Sequence, residues 1–401
     1  MKKIYYGRAV YDKKEINAVV DVLKNNSLSL TDGKRVKELE KKVSKIFGKK
    51  YGLMVNSGSS ANLLALSSFN FKKGSEVITP NLTFSTTVAP IYQLGLIAHF
   101  IGVEKNKFVA DVSQIEKCIN KNTVALMVPN LLGNIANWKK IHHIAKKYKL
   151  KVIEDSADTI GYKYNRHNTG RYSDVVTNSF YASHIINGGG TGGIVCFNDF
   201  KLYQKAKLLR GWGRSSATFN ESESIKKRFN IKVSGIDYDA KYVFSEMGYN
   251  FLPSEISAAF ALEQLKKLDE NIRIRNRNFR LLINFFKKYN NFFNLPEMYN
   301  GVSTPWLAFP LVIKKNGLFN RKELQIFFEK NHIQTRTIFT GNILKQPVMI
   351  DKEYKFFKEC NLVADDVMEN GILLGCHHGM TEKDVSFICK IFDKFINKWK
   401  L

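Results

Sequence analysis

Between about residues 50 and 200, short apolar runs alternate with longer stretches of helical periodicity. Leu53 to Val55, Glu76 to Thr79, Ile97 to Ile101, Thr123 to Val128 and Lys151 to Glu154 predict strands. The segments between them, Ser60 to Phe69, Thr86 to Leu94, Val112 to Ile119 and Ala136 to Tyr148, predict helices. Strands joined by helices of this length form βαβ units, so an α/β fold follows, with a mostly parallel sheet covered on both faces. Val176 to Tyr181 and Gly193 to Phe197 add two strands, giving a seven-stranded sheet. Helical periodicity resumes from Ser254 to Tyr289. A strand over Leu307 to Ile313, a helix over Arg321 to Asn331 and a last helix over Glu382 to Lys398 predict a smaller α+β unit. The division expected is a large domain over residues 1–265, opened by N-terminal helices, and a small domain over 266–401. Arg214 to Lys241 is polar and charge-rich, and reads as a loop that orders against a partner subunit.

Composition narrows the class. With 401 residues and 44% hydrophobic content the chain can bury one large core and a second smaller one. No apolar run approaches the roughly 20 residues that span a bilayer, and Met1 to Tyr6 lacks the apolar run of a signal peptide. A cytoplasmic protein with no membrane partner is expected. Five scattered cysteines (Cys118, Cys196, Cys360, Cys376, Cys389) include no CxxC pair, so neither a disulfide framework nor a metal or iron–sulfur ligand set is expected. The net charge of +26 raises nucleic acid as a partner. The lysines are spread along the chain, however, as in Lys34, Lys37, Lys41, Lys42 and Lys45. That pattern fits a solvated surface, or a basic cleft that steers a small anion such as a nucleotide diphosphate, and no nucleic-acid partner is expected.

Candidate chemistry gathers where predicted strands end, which is where sites in parallel sheets form. Asn56 to Asn62 joins a strand to a helix, and small residues there allow backbone N–H groups and hydroxyls to surround a phosphate. Glu154 and Asp155 close another strand. His184 follows Ser179, Phe180, Tyr181, Ala182 and Ser183 and precedes a glycine-rich turn; an imidazole ordinarily titrates near neutrality, which suits proton transfer.

This set resembles the pyridoxal phosphate site of the DegT/DnrJ/EryC1/StrS sugar aminotransferase family, and the likeness runs from about residue 10 to the C-terminus. The family has the aspartate aminotransferase-like fold (fold type I), with the smaller C-terminal domain described above. The resemblance assigns Gly58, Ser59 and Ser179 to the cofactor phosphate, Phe84 to the cofactor ring, Asp155 to the pyridine nitrogen, and Asp158 to the cofactor as the acidic residue that replaces the aminotransferases' glutamine in the dehydratase branch. Asn250, in Gly248–Tyr249–Asn250, is implied to reach the cofactor of the other subunit, so a homodimer with shared active sites follows. Where the family's arginine stands two residues later, this chain has Leu252. His184 occupies the position of the family's Schiff-base lysine, and a ring nitrogen cannot form that imine.

That replacement, with Asn130 to Asn134 and Phe339 to Asn342 after Arg336, places the chain nearest the histidine-containing sugar 3-dehydratases that make 3,6-dideoxyhexoses such as colitose. The resemblance implies noncovalent pyridoxamine 5′-phosphate, cycling with pyridoxal 5′-phosphate. It also implies C3 deoxygenation of an NDP-4-keto-6-deoxyhexose with His184 as the catalytic base and acid, and L-glutamate to restore the amine. Such sugars serve surface polysaccharide, including lipopolysaccharide, biosynthesis. Arg336, Trp306 and His378 are candidate substrate contacts by position, and no metal site is expected. A cluster-bearing branch has cysteines after a stretch like Gly211 to Arg214; Ser215 to Thr218 here offer none, so no iron–sulfur cluster is expected. Two alternatives stand beside the dehydratase: an aminotransferase, and a silent sugar-nucleotide-binding homologue.

Overall fold

The computed structural model describes residues 3–25, 29–165, 167–219, 223–315 and 318–399. Its main sheet has eight strands, in the spatial order Tyr51–Val55, Gly193–Phe197, Val175–Ser179, Lys151–Asp155, Thr123–Pro129, Glu76–Pro80, Ile97–Ile101 and Tyr354–Phe356. Gly193–Phe197 runs antiparallel to both neighbours, and the other pairings are parallel. Seven of these strands match the sequence expectation within a few residues. The eighth, Tyr354–Phe356, pairs in parallel with Ile97–Ile101 at the edge, Tyr354 opposite Ala98 and Phe356 opposite Phe100.

Alternation along each strand divides the large-domain core in two. Met54, Ile78, Leu126, Val152, Val176 and Ile194 face helices Lys34–Ile46, Val112–Cys118 and Trp138–Tyr148. Leu53, Val77, Ala125, Ile153, Val175 and Val195 face helices Gly58–Ser67, Ser85–Gln93 and Phe200–Arg210. A third, phenylalanine-rich core gathers Phe286, Phe293, Phe309, Phe328 and Phe392 around strands Phe309–Ile313 and Gly371–Leu374. Ile4, Leu82, Leu131 and Leu132 join that third core from the first half of the chain.

Three expectations change in detail. The helical stretch from Ser254 is two helices, Glu255–Lys266 and Leu268–Phe286, because Lys267 leaves helical geometry (φ −97°, ψ 4°). The strand after Val175 ends at Ser179, where Phe180 turns into the core. Within Arg214 to Lys241 there is local order: a 3-10 turn at Ser215–Phe219, a short helix at Ile225–Arg228 and paired strands Lys232–Val233 and Ile236–Asp237. Residues 220–222 of that stretch lie outside the described residues. No helix among the described residues is long and apolar enough to cross a membrane.

Candidate active site

A cavity of about 450 Å³ opens beside the carboxyl ends of the sheet strands, lined in part by Ser57, Gly58, Asp155, Asp158, Ser179 and His184. One end is the start of helix Gly58–Ser67. Ser57 is extended (φ −161°, ψ 161°), and its Oγ accepts from the Ser60 N–H at 3.1 Å, a regular N-cap. The next amides are left at the positive end of the helix dipole, with Ser59 beside them, which suits a phosphate. Gly58 is required by proximity: a Cβ there would lie 2.6 Å from Ser179 Cβ and 2.9 Å from its Oγ. The cradle is therefore made by a helix start pressed against a strand end.

Strand alternation carries Asp155 to the same face as Ile153, toward the helices that hold Asn62 and Thr87. Its Oδ2 accepts from Asn62 Nδ2 and Thr87 Oγ1, each at 2.8 Å, and its Oδ1 accepts from the Ala157 N–H at 3.0 Å. Asn62 is itself held by Thr177, whose Oγ1 donates to Asn62 Oδ1 at 2.6 Å. Burial pushes the Asp155 carboxyl up, and these donors pull it down. All three donors are neutral, so the carboxylate keeps its affinity for a cation.

Asp158 lies deeper in polar deficit. One backbone donor reaches it, the Leu132 N–H at 2.7 Å from Oδ2. Leu132 holds that position in the left-handed region (φ 58°), costly for a branched residue. Burial, with Asp155 adding repulsion, raises the Asp158 carboxyl to about 8. His184 Nε2 stands 4.0 Å from Asp158 Oδ1, and His184 Nδ1 lies 3.3 Å from the Ser179 carbonyl oxygen. A carbonyl only accepts, so Nδ1 carries the proton and Nε2 presents its lone pair. Burial, helped by the Arg275 charge, lowers the imidazole to about 4. Near neutrality the site therefore pairs an uncharged base with an uncharged acid.

The other predicted residues are dispersed. Phe84, 49% exposed, forms the rim edge-on to Phe339 at 5.7 Å. Arg336 is exposed and sits over Tyr6, 5.9 Å from the ring centre, and Tyr6 lines the cavity. Trp306 is buried against Phe279 at 4.8 Å and reaches the cavity wall only through its neighbour Leu307. His378 is buried behind the wall, its Nδ1 accepting from Arg275 Nε at 3.1 Å. Asn250 is exposed and pairs along the backbone with Gly211, away from the cavity. Sequence reasoning missed Asn62, Thr87, Tyr6 and Arg275. Only Asn62 carried a signal, closing the serine-rich turn.

The residues present fit pyridoxal phosphate: an amide and hydroxyl cradle at one end, and a buried carboxylate without a cationic partner at the other. The lining includes no lysine. Among the described residues no group of three or more His, Cys, Asp or Glu is arranged to hold a metal ion, and all five cysteines are free.

Fold and site together define a coenzyme B6 protein of the aspartate aminotransferase type. More closely, the chain belongs to the DegT/DnrJ/EryC1/StrS aminotransferase family, which matches residues 10–393. It is 33% identical over 377 residues to the lipopolysaccharide biosynthesis protein RfbH of Salmonella typhimurium, covering 91% of this chain and 86% of that one. It is 31% identical over 379 residues to the GDP-4-keto-6-deoxy-D-mannose 3-dehydratase of Escherichia coli O55:H7, covering 92% and 94%. Among solved structures, a GDP-4-keto-6-deoxymannose-3-dehydratase with a trapped PLP-glutamate geminal diamine superposes with a TM-score of 0.86, at 28% identity and covering 97% and 99% of the two chains.

Proposed function

We propose that this coenzyme B6 enzyme is a 3-dehydratase of a nucleotide-linked 4-keto-6-deoxyhexose. The observation that carries the reading is His184, set where the family's lysine stands, with Nε2 free toward the cavity and an uncharged carboxyl 4.0 Å away. Bound pyridoxamine phosphate supplies the amine that condenses with the sugar ketone and a conjugated ring that takes up charge. The helix amides with Gly58, Ser59 and Ser179 hold its phosphate. Asp155 keeps the pyridine nitrogen protonated, and Phe84 and Asp158 flank the ring. His184 Nε2 takes the C4′ proton and returns a proton to the C3 hydroxyl as it departs, so that one imidazole acts as base and then acid.

L-Glutamate restores the amine, a reading supported by the glutamate adduct in the related structure. Arg336, at the mouth over Tyr6, offers a cation to an anionic part of the substrate. Trp306 and His378 shape the substrate wall through Leu307 and Arg275. The arm that holds Ile225 (77% exposed), Ile236 and Met247 (95% exposed) is covered by a second copy of the chain, which brings Asn250 to the neighbouring cofactor.

The test is mass spectrometry of products from the protein, pyridoxamine phosphate, glutamate and a panel of nucleotide 4-keto-6-deoxyhexoses. A 3-deoxy product with 2-oxoglutarate and ammonia is expected, and His184→Asn should lower its formation by roughly 10²–10⁴-fold with cofactor still bound. An amino sugar from the unaltered protein would make it an aminotransferase and sink the dehydratase reading.

A further inference from the structure

Helix Leu268–Phe286 carries Arg273, Arg275, Arg277 and Arg280, and only Arg275 is fully buried, with 0% exposure. Its guanidinium makes five hydrogen bonds, one for each N–H it owns. Two go to the Ser183 and His184 carbonyl oxygens, each at 3.2 Å. Two go to the carbonyls of Trp306, at 3.2 Å, and Leu307, at 3.0 Å, and one to His378 Nδ1 at 3.1 Å. Every acceptor is neutral. Burying a charge without a counter-ion is expensive, and packing alone would be served at lower cost by methionine or leucine.

We propose that Arg275 is a positioning residue for proton transfer: its planar fork grips the main chain of His184 and fastens it to the Trp306–Leu307 wall of the cavity. This rests on His184 being the group that moves the proton. Without the fork, the Ser183 and His184 carbonyls would lose their tie to the Trp306–Leu307 wall, the helix would hold this segment through Asn271 Nδ2 on the Ile185 carbonyl at 3.1 Å, and the imidazole would lose its aim at the cavity. Lysine cannot span these carbonyls, because its ammonium is a point donor and not a planar fork. The charge acts as well. His184 is faced by Asp158 at 4.0 Å, by the Tyr181 ring at 5.9 Å and by the guanidinium through its own carbonyl, with Asp155 and Tyr6 also on the cavity wall. Of these, Arg275 is the cation that opposes a second positive charge on the imidazole, which favours the free base.

The test combines an NMR titration of His184 in the pyridoxamine phosphate-loaded protein, assigned by its loss in His184→Asn, with the rate of C4′ hydrogen exchange into deuterated solvent. In Arg275→Met the midpoint should rise and exchange should slow by roughly tenfold or more, while cofactor Kd stays within about threefold. Arg275→Lys should restore the midpoint but not the rate, since it keeps the charge and loses the fork. A lowered Tm with midpoint and exchange rate both unchanged would make Arg275 a packing residue and overturn the proposal. So would a His184 midpoint above about 6.5 in the unaltered protein, a measurement that needs no variant to fold. Midpoint and exchange effects as expected, without deoxygenation of any sugar, would support the clamp and count against the dehydratase reading instead.

Discussion

Glu154 and Asp155 are consecutive on one strand and point to opposite faces of the sheet, and their surroundings differ in kind. Glu154 is saturated. Its Oε1 accepts from Asn130 Nδ2 at 3.1 Å, Ser156 Oγ at 3.0 Å and the Tyr162 hydroxyl, and its Oε2 from the Gly170 N–H at 2.8 Å and Ser173 Oγ at 3.2 Å. Asp155 has three donors and Asp158 one. A carboxylate with all its lone pairs engaged holds loops together and has nothing left for a ligand. Of the two facing the cavity, Asp155 is buried and Asp158 is 13% exposed at its side chain; both have capacity to spare, and that unmet capacity is the mark of a binding surface.

The sharpest way to break the contrast is Asp155→Asn. It should lower turnover by roughly 10³-fold, because an amide cannot hold the pyridine nitrogen protonated, while Tm is unchanged or rises, since a buried charge has been removed. Steady-state rates and a thermal melt read the two effects. Glu154→Gln should do the reverse. Stability falls by about 2–3 kcal/mol in urea as its donors lose a shared acceptor, and the affinity for pyridoxamine phosphate is retained.

The last contrast separates the two cavity carboxylates. Asp158 keeps its proton up to about 8 in the folded, cofactor-free chain, against 3.8 when unfolded. Its stabilising contribution is therefore full below 3.8 and is lost as pH rises through 8, at no more than about 1.4 kcal/mol per pH unit. His184, lowered to about 4, works the other way and costs stability as pH falls from 6.5 toward 4. Asp158→Asn should flatten the decline between pH 4 and 8 in chemical denaturation; an unchanged slope would show that Asp158 is ionised across that range.

Most of the sheet was legible in the sequence because its strands are doubly buried, and continuous apolar runs bounded by turns record that directly. Tyr354–Phe356 was not. It is three residues long, lies at an edge, and its partner Ile97–Ile101 is far away in the chain, so no local period marks it. The candidate cofactor end was picked out for a different reason: Gly58, Ser59, Asp155, Ser179 and His184 stand in family order along the chain, and the fold brings all five to one cavity. Thr87 was silent because a polar residue inside a helix reads as solvent-facing until the helix is placed, and Asn62 was marked only by closing the serine-rich turn. Arg275 was hidden among the other arginines of its helix, since nothing local distinguishes a buried guanidinium from an exposed one. Trp306 and His378 drew attention as side chains; in the fold Trp306 meets Arg275 through its carbonyl, and His378 through its ring.

The edge strand at Tyr354–Phe356 also bears on how the protein is made. Ile4 pairs with Ile333 across the small domain, and Ile97–Ile101 receives its outer neighbour only from residue 354 onward. A growing chain that has reached residue 265 has the large sheet with an open flank and Ile4 without its pairing partner Ile333. Early and late segments of the chain thus cross over, Ile4 joining the phenylalanine-rich core and Tyr354–Phe356 the main sheet. Neither the main sheet nor the phenylalanine-rich core is built from one continuous half of the chain.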